Sequence, residues 1–200
     1  MSNPSHWKAF CKWRRQHEAL GLPEHVSLSD LNRFAARYRL ARAFNGIEAT
    51  GYAKDTLAGY GSVMRAFLAY SALEQFHKAV RPTVGRPHLM QRWADMAIAP
   101  AENLRDADDV IRFLIKTVSH EKLKNKLIAF HKGETDNSLI VATALRHTVA
   151  HGFMSVHPDG TSPKISKTFC EQLTRMLLSI ADRSFIELLE SLSVDFGPAE

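Results

Sequence analysis

Apolar residues recur every three to four positions over most of this chain, and no convincing run of alternating strand residues appears. A chain of 200 residues fits one domain and is long enough to bury a sizeable core. We therefore predict an all-α fold. The expected architecture is a bundle of four to five main helices, with a turn-rich insertion before the last helix.

Capping and chain-breaking residues locate the first two long helices. Ser27 or Ser29 can cap one helix, and Asp55 can open a second that reaches about Val80, before the break at Arg81-Pro82. The core stripe expected for the first helix is Leu31, Phe34, Tyr38 and Ala41. The stripe expected for the second helix is Leu57, Tyr60, Met64, Phe67 and Ser71.

The same signals place the last two helices. Thr135-Asp136-Asn137 is a capping cluster for the penultimate helix, and Gly152 lies where a helix commonly ends. His157-Pro158-Asp159-Gly160 indicates a tight turn, and a final helix is expected from Ser166, with a frayed tail at Phe196-Gly197-Pro198. The core stripe expected for this helix is Phe169, Leu173, Leu177, Ile180, Ser184 and Leu188.

Bulk properties narrow the class of protein. The net charge of +5 mildly favours an anionic partner such as nucleic acid. Cys11 and Cys170 lie far apart and form no CxxC pair, which is typical of reduced thiols in a cytoplasmic protein. No apolar run approaches the ~20 residues needed to span a bilayer, and Met1-Ser2-Asn3-Pro4 does not begin a secretion signal. We therefore expect a cytoplasmic protein with no membrane partner.

The segment from Ala144 to Gly152 carries the chemistry of the chain. It places Arg146 directly before His147 and puts His151 five positions after the arginine. A guanidinium presents a planar fork of donors that fits phosphate oxygens, and an imidazole exchanges a proton near neutral pH. This combination indicates chemistry on a phosphate.

A helical projection separates these groups. His147 and His151 share a face one turn apart, whereas Arg146 and His151 stand about 140° apart on an ideal helix. A phosphate shared by Arg146 and His151 therefore requires unwinding near Gly152, or residues from two copies of the chain. The row expected to face the core is Ala142, Leu145, Val149 and Phe153. The row expected to carry the histidines is Ile140, Ala144, His147 and His151.

The arginine, the polar residue after it and the later histidine resemble the motif of the HEPN superfamily (higher eukaryotes and prokaryotes nucleotide-binding domains). The small or apolar flank Ala144-Leu145, the following Gly152 and the position on the penultimate helix agree with that resemblance. By helical layout the resemblance covers a HEPN-like bundle domain over residues 28–195. Residues 1–25 are expected to form a separate N-terminal helical extension.

The resemblance implies a metal-independent RNA endonuclease without a cofactor, of toxin or phage-defence type. In that reading the RNA 2′-hydroxyl attacks the adjacent phosphorus, and a 2′,3′-cyclic phosphate and a 5′-hydroxyl result. His151 is then the general base or acid, and Arg146 binds the scissile phosphate. His147 orients His151 or the phosphate, or relays a proton. The implied partners are RNA, an antitoxin protein and a second copy of the chain, with the site at the homodimer interface.

Other interpretations stay open. Glu74, on a stripe expected to be buried, is a supporting residue that could hold Arg146, or simply an exposed glutamate. The chain could be a non-catalytic HEPN-like module that binds nucleotide, RNA or protein. His147 and His151 could bind zinc with His157 as a third ligand, although Arg146 would repel the cation. The basic aromatic segment from Trp7 to Arg15 more often packs its rings on a bundle than binds single strands.

Overall fold

The computed structural model describes residues 3–17, 22–24, 26–80, 86–152, 154–157 and 160–194, and within them it contains helices and no strand. The helices are α1 (Trp7–Gln16), α2 (Leu28–Ala43), α3 (Lys54–Val80), α4 (Arg86–Met96), α5 (Ala101–Arg105), α6 (Asp108–Thr117), α7 (Glu121–His131), α8 (Leu139–Ala150) and α9 (Pro163–Ser191). The prediction of an all-α bundle is confirmed. Four of these helices have 12 or more residues, and the other five are shorter.

Some predicted features lie outside the described residues. They are the chain break at Arg81-Pro82, Phe153 of the core row, Pro158 and Asp159 of the turn, and the tail at Phe196-Gly197-Pro198. None of the helices in the described part of the chain has both the length and the apolar character that crossing a bilayer requires.

Helices α2, α3 and α9 form the centre of the bundle. The ring of Phe34 on α2 lies 5.1 Å from Phe76 on α3 and 5.7 Å from Phe185 on α9, measured between centroids. All three rings are fully buried, so they join the three helices into one apolar core. The core stripes predicted for α2 and α9 are confirmed, since every residue of both is buried.

Local chemistry explains where these helices begin. The Ser27 hydroxyl accepts a hydrogen bond from the Asp30 amide and caps α2, as predicted. Helix α9 begins at Pro163, three residues before the predicted Ser166, because Ser162 caps it by accepting from the Lys164 amide. Proline is tolerated at the first helical position, where its missing N–H would have no helical partner.

The stripe predicted for α3 is wrong. Its five residues are only half-buried, and the core face consists mainly of small side chains: Val63, Ala66, Ala69, Ala72, Leu73, Phe76, Ala79 and Val80. Because α3 packs against both α2 and α9, small residues at its contact face let the three axes approach closely. The larger side chains occupy the edges of that contact, where there is room for them.

Helix α1 packs on the bundle through its aromatic face. Phe10 is buried 5.8 Å from the Phe185 ring, while Lys8 and Lys12 are exposed. The packing alternative for this segment is therefore confirmed. Just before α1, the Ser5 amide and hydroxyl each donate to the Asp182 carboxylate at 2.6 Å, which attaches the start of the described chain to α9.

Helix α8 lies against α3 on one side and α6 and α7 on the other. Its N-cap is Ser138, and the side-chain oxygen of Asn137, from the predicted capping cluster, accepts from the Leu139 amide at 3.1 Å. A hydrogen bond of 3.1 Å joins the hydroxyls of Tyr70 and Thr143 across the seam between α3 and α8. This packing fixes which flank of α8 faces α3.

Candidate functional site

The last turn of α8 brings the predicted motif to the protein surface. Arg146 and His147 are half-buried, and His151, directly after the helix, is exposed. Gly152 adopts a φ of 73°, a left-handed conformation that costs glycine little and ends the helix as predicted. The helix therefore ends at the motif, and the imidazole of His151 is accessible.

Arg146 is held toward α3 by Glu74. The distance between its Nη2 and the Glu74 Oε1 is 3.5 Å, and the two side chains are 40% and 45% exposed. Of the two alternatives for Glu74, a buried stripe or an exposed position, the exposed one is found, because this residue is on the outer edge of α3. The predicted contact with Arg146 is nevertheless present. An exposed pair of this kind contributes about 0–1 kcal/mol to stability, so its main effect is to orient the guanidinium.

The rings of the two histidines of the motif lie in contact with each other, tilted and not stacked. The ring centroids of His147 and His151 are 4.4 Å apart, with 55° between the ring planes. Burial lowers the pKa of His147 below its ordinary value of 6.5, and the positive charges of His151, Arg146 and His120 lower it further. His147 is therefore a neutral imidazole at neutral pH, able to accept a proton.

His120 was missed by the sequence analysis. It caps the start of α7, where its Nδ1 accepts from the Leu123 amide at 3.3 Å. That bond directs the proton of the neutral ring to Nε2. When His120 is protonated, its charge acts on His147 because α7 packs on α8. The only local signal was a polar residue before a helical stretch, and such a signal indicates a cap and not a site.

The buried face of α8 separates the two flanks. Thr148 is fully buried and donates its hydroxyl to the Ala144 carbonyl at 2.9 Å. Ala142 and Leu145 of the predicted core row are buried, and Val149 is half-buried against the core. In the histidine row, Ile140 and Ala144 are buried, so that row passes from the core to the surface along its length.

Arg146 and His151 do not converge within one chain. The helix is intact through Ala150, and the His151 amide still donates to the His147 carbonyl at 3.1 Å. The motif is therefore not unwound, and the two side chains keep their separation of about 140° around the helix axis. Arg146 points to the α3 side, and His151 accompanies His147 on the other flank.

The third ligand of the zinc alternative lies elsewhere. His157 Nε2 is 3.4 Å from the Thr56 hydroxyl near the start of α3. Among the described residues, no three His, Cys, Asp or Glu side chains are gathered closely enough to hold a metal ion. What the last turn of α8 presents is thus a guanidinium and a pair of imidazoles, which suit a phosphodiester.

Comparisons with known proteins give no match, whether to a family model, to a curated protein or to a solved structure.

Proposed function

We propose that this chain is a metal-independent RNA endonuclease of HEPN type. The observation that supports it most is the presence of Arg146 and the adjoining imidazoles of His147 and His151 on one accessible helix end. The resemblance of the motif supplies the reaction class, and the chemistry of the side chains is consistent with it.

The proposed reaction needs proton transfer and charge stabilisation and nothing else from the protein. The 2′-hydroxyl oxygen forms a bond to phosphorus while its proton passes to a neutral imidazole. The bond from phosphorus to the 5′-oxygen breaks, and that oxygen takes a proton from a protonated imidazole. Arg146 binds the non-bridging oxygens and stabilises the added negative charge of the transition state.

His151 and His147 have different parts in this scheme. His151 is exposed at the helix end, so it is the imidazole that exchanges a proton with the substrate. His147 lies behind it with a lowered pKa, so it is neutral and available to accept a proton from its neighbour. The separation of 4.4 Å between the ring centroids also disfavours simultaneous protonation of both rings, because like charges at this distance repel.

We further propose that the working unit is a homodimer. Arg146 and His151 face different flanks of one α8, so a single scissile phosphate is reached by both only when two copies of the helix lie side by side. RNA and a second copy are the proposed partners, and an antitoxin protein is the partner expected for a toxin. Glu74 is proposed as a positioning residue that holds Arg146 until substrate arrives.

The test compares the wild type with Arg146→Ala and His151→Ala. Each is placed under an inducible promoter, and growth and RNA integrity are recorded. Purified proteins are then incubated with RNA in EDTA, and the products are analysed for a 2′,3′-cyclic phosphate. His157→Ala is the matched control, because it removes an imidazole outside the motif.

The proposal predicts growth arrest and RNA cleavage for the wild type and the control, and loss of both in the two motif variants. Intact RNA and normal growth with the wild type would contradict it. RNA that is bound but not cut would instead indicate a non-catalytic binding module.

A further inference from the structure

A second cluster of cationic side chains lies on the opposite side of α3. Arg42 on α2, Arg65 on α3 and Arg175 on α9 line one cavity of about 520 Å³, which we name the arginine groove. Arg65 and Glu74 are nine positions apart on α3, which places them about 180° apart around the helix. The arginine groove is therefore separate from the motif on α8.

The register of the central helices explains why these arginines meet. Arg65 donates from Nε to the Ala41 carbonyl at 3.0 Å and from Nη2 to the Arg42 carbonyl at 3.4 Å, which sets it at the end of α2. One turn earlier on α2, the Tyr38 hydroxyl hydrogen-bonds the Asp182 carboxylate of α9. Because α2 and α9 run antiparallel from that contact, Arg42 advances along α2 toward the part of α9 that carries Arg175.

Two of the three guanidinium groups, those of Arg65 and Arg175, have donors to spare. The two backbone carbonyls bonded by Arg65 fix its position and leave the Nη1 protons for another acceptor. Within the described part of the chain, Arg175 is exposed and has no ion pair or hydrogen bond. Convergent guanidinium forks bind phosphate oxygens well.

The two carboxylates of the groove are occupied by other donors. Asp182 accepts from the Ser5 amide, the Ser5 hydroxyl and the Tyr38 hydroxyl. Glu171 lies 3.8 Å from Lys167, one turn before it on α9. Both carboxylates of the groove thus already have partners, and the groove is lined by three arginines from three different helices.

We propose that the arginine groove binds a small ligand carrying two or more phosphoryl groups. Its volume of about 520 Å³ falls within the roughly 300–1,000 Å³ of small-molecule sites. Three separate guanidinium groups match more than one phosphoryl group, and the hydroxyl of Ser179 adds a donor at the edge. Free polyphosphate and a nucleoside diphosphate share this chemistry.

Isothermal titration calorimetry tests the proposal with inorganic pyrophosphate and with ADP as separate probes. The titrations use the full chain carrying Arg146→Ala, so that the motif does not contribute a second anion site. In that background, Arg175→Gln is compared with Arg183→Gln. Both remove one exposed charge from α9, but Arg183 lies two turns further on and does not line the groove.

We expect pyrophosphate to bind, the Arg175→Gln variant to bind at least about tenfold more weakly, and the Arg183→Gln variant to stay within about twofold. Tighter binding of ADP than of pyrophosphate would identify a nucleotide as the ligand, and equal binding would identify the phosphoryl groups alone. No heat from either probe at millimolar concentration would overturn the proposal. Equal loss in both variants would overturn it as well, since it would show a diffuse effect of charge.

Discussion

A buried hydrogen bond between α4 and α9 offers a quantitative test of the fold. The Trp93 indole N–H donates to the Ser184 hydroxyl at 2.8 Å, and these residues are 3% and 4% exposed. The substitution Ser184→Ala removes the acceptor and leaves the indole N–H buried without a partner. No water reaches this position easily, so the desolvation cost of the indole N–H is not recovered.

The expected magnitude follows from two opposing effects. An unpaired buried donor costs about 1–3 kcal/mol. Alanine is the better helix former, which returns about 0.5 kcal/mol within α9. The net loss in the free energy of unfolding is then about 0.5–2.5 kcal/mol. At about 2–4 °C per kcal/mol for a chain of this size, the melting temperature falls by about 1–10 °C.

Urea unfolding followed by circular dichroism at 222 nm measures this loss. Ser179→Ala is the matched control, because it makes the same chemical change at an exposed position of the same helix. Helix propensity cancels between the two variants, and the difference isolates the hydrogen bond at about 1–3 kcal/mol. If Ser184→Ala unfolds at the same urea concentration as Ser179→Ala, the reasoning is refuted. Trp93→Phe combined with Ser184→Ala should recover part of the loss, since neither unpaired group remains.

Three further predictions address polar contacts. Burial acts to raise the pKa of Asp30, but nearby cations and hydrogen bonds, including the 2.9 Å bond from Gln75, lower it overall. The free energy of unfolding should therefore fall as the pH drops below about 3.8. In urea titrations at a series of pH values, Asp30→Asn should make that fall less steep. Glu74→Gln should slow RNA cleavage by up to about tenfold. It should leave the urea midpoint of unfolding unchanged, because the exposed ion pair with Arg146 contributes little to stability. A shifted midpoint would indicate that Glu74 has a structural role. Because the pKa of His147 is lowered, it should accept a proton from His151 somewhat below pH 6.5, and cleavage should be lost when the pH falls further and His147 is protonated. An acid limb above pH 6.5 would contradict this role of His147.

The helix positions that were predicted correctly depend on local chemistry. Ser27 caps α2 and Gly152 ends α8, and both effects involve only the nearest turn of the chain. The stripe of α3 failed because large apolar residues were assigned to the core, whereas close packing of α2, α3 and α9 selects small ones there. The connection between α2 and α3 also comes close to α3, since a Cβ added at Gly61 would lie 3.0 Å from the Gly46 Cα. Such close approaches are properties of the packed chain, and hydrophobic periodicity does not report them.

In the candidate site too, contacts within one helix are predictable from the sequence, and contacts between helices are not. The contact between His147 and His151 follows from their spacing of four residues on one helix, so the sequence alone is sufficient to predict it. The contact of Glu74 with Arg146 needed the packing of α3 on α8, and the spacing along the chain gave only a candidate. The effect of His120 on His147 depends on how α7 meets α8, for which the sequence held no pattern.

The ion pair of Arg146 suits a site that must release its cation to a substrate. An exposed carboxylate pair contributes about 0–1 kcal/mol. A bidentate hydrogen bond from arginine to a phosphate is among the stronger charged contacts, at about 1.5–3 kcal/mol. Under the proposed function, a phosphodiester that reaches α8 therefore displaces Glu74 from Arg146 with a net gain. In the proposed homodimer, the second α8 would bring its His151 to the phosphate that Arg146 holds, since the two side chains of one intact helix lie about 140° apart around its axis.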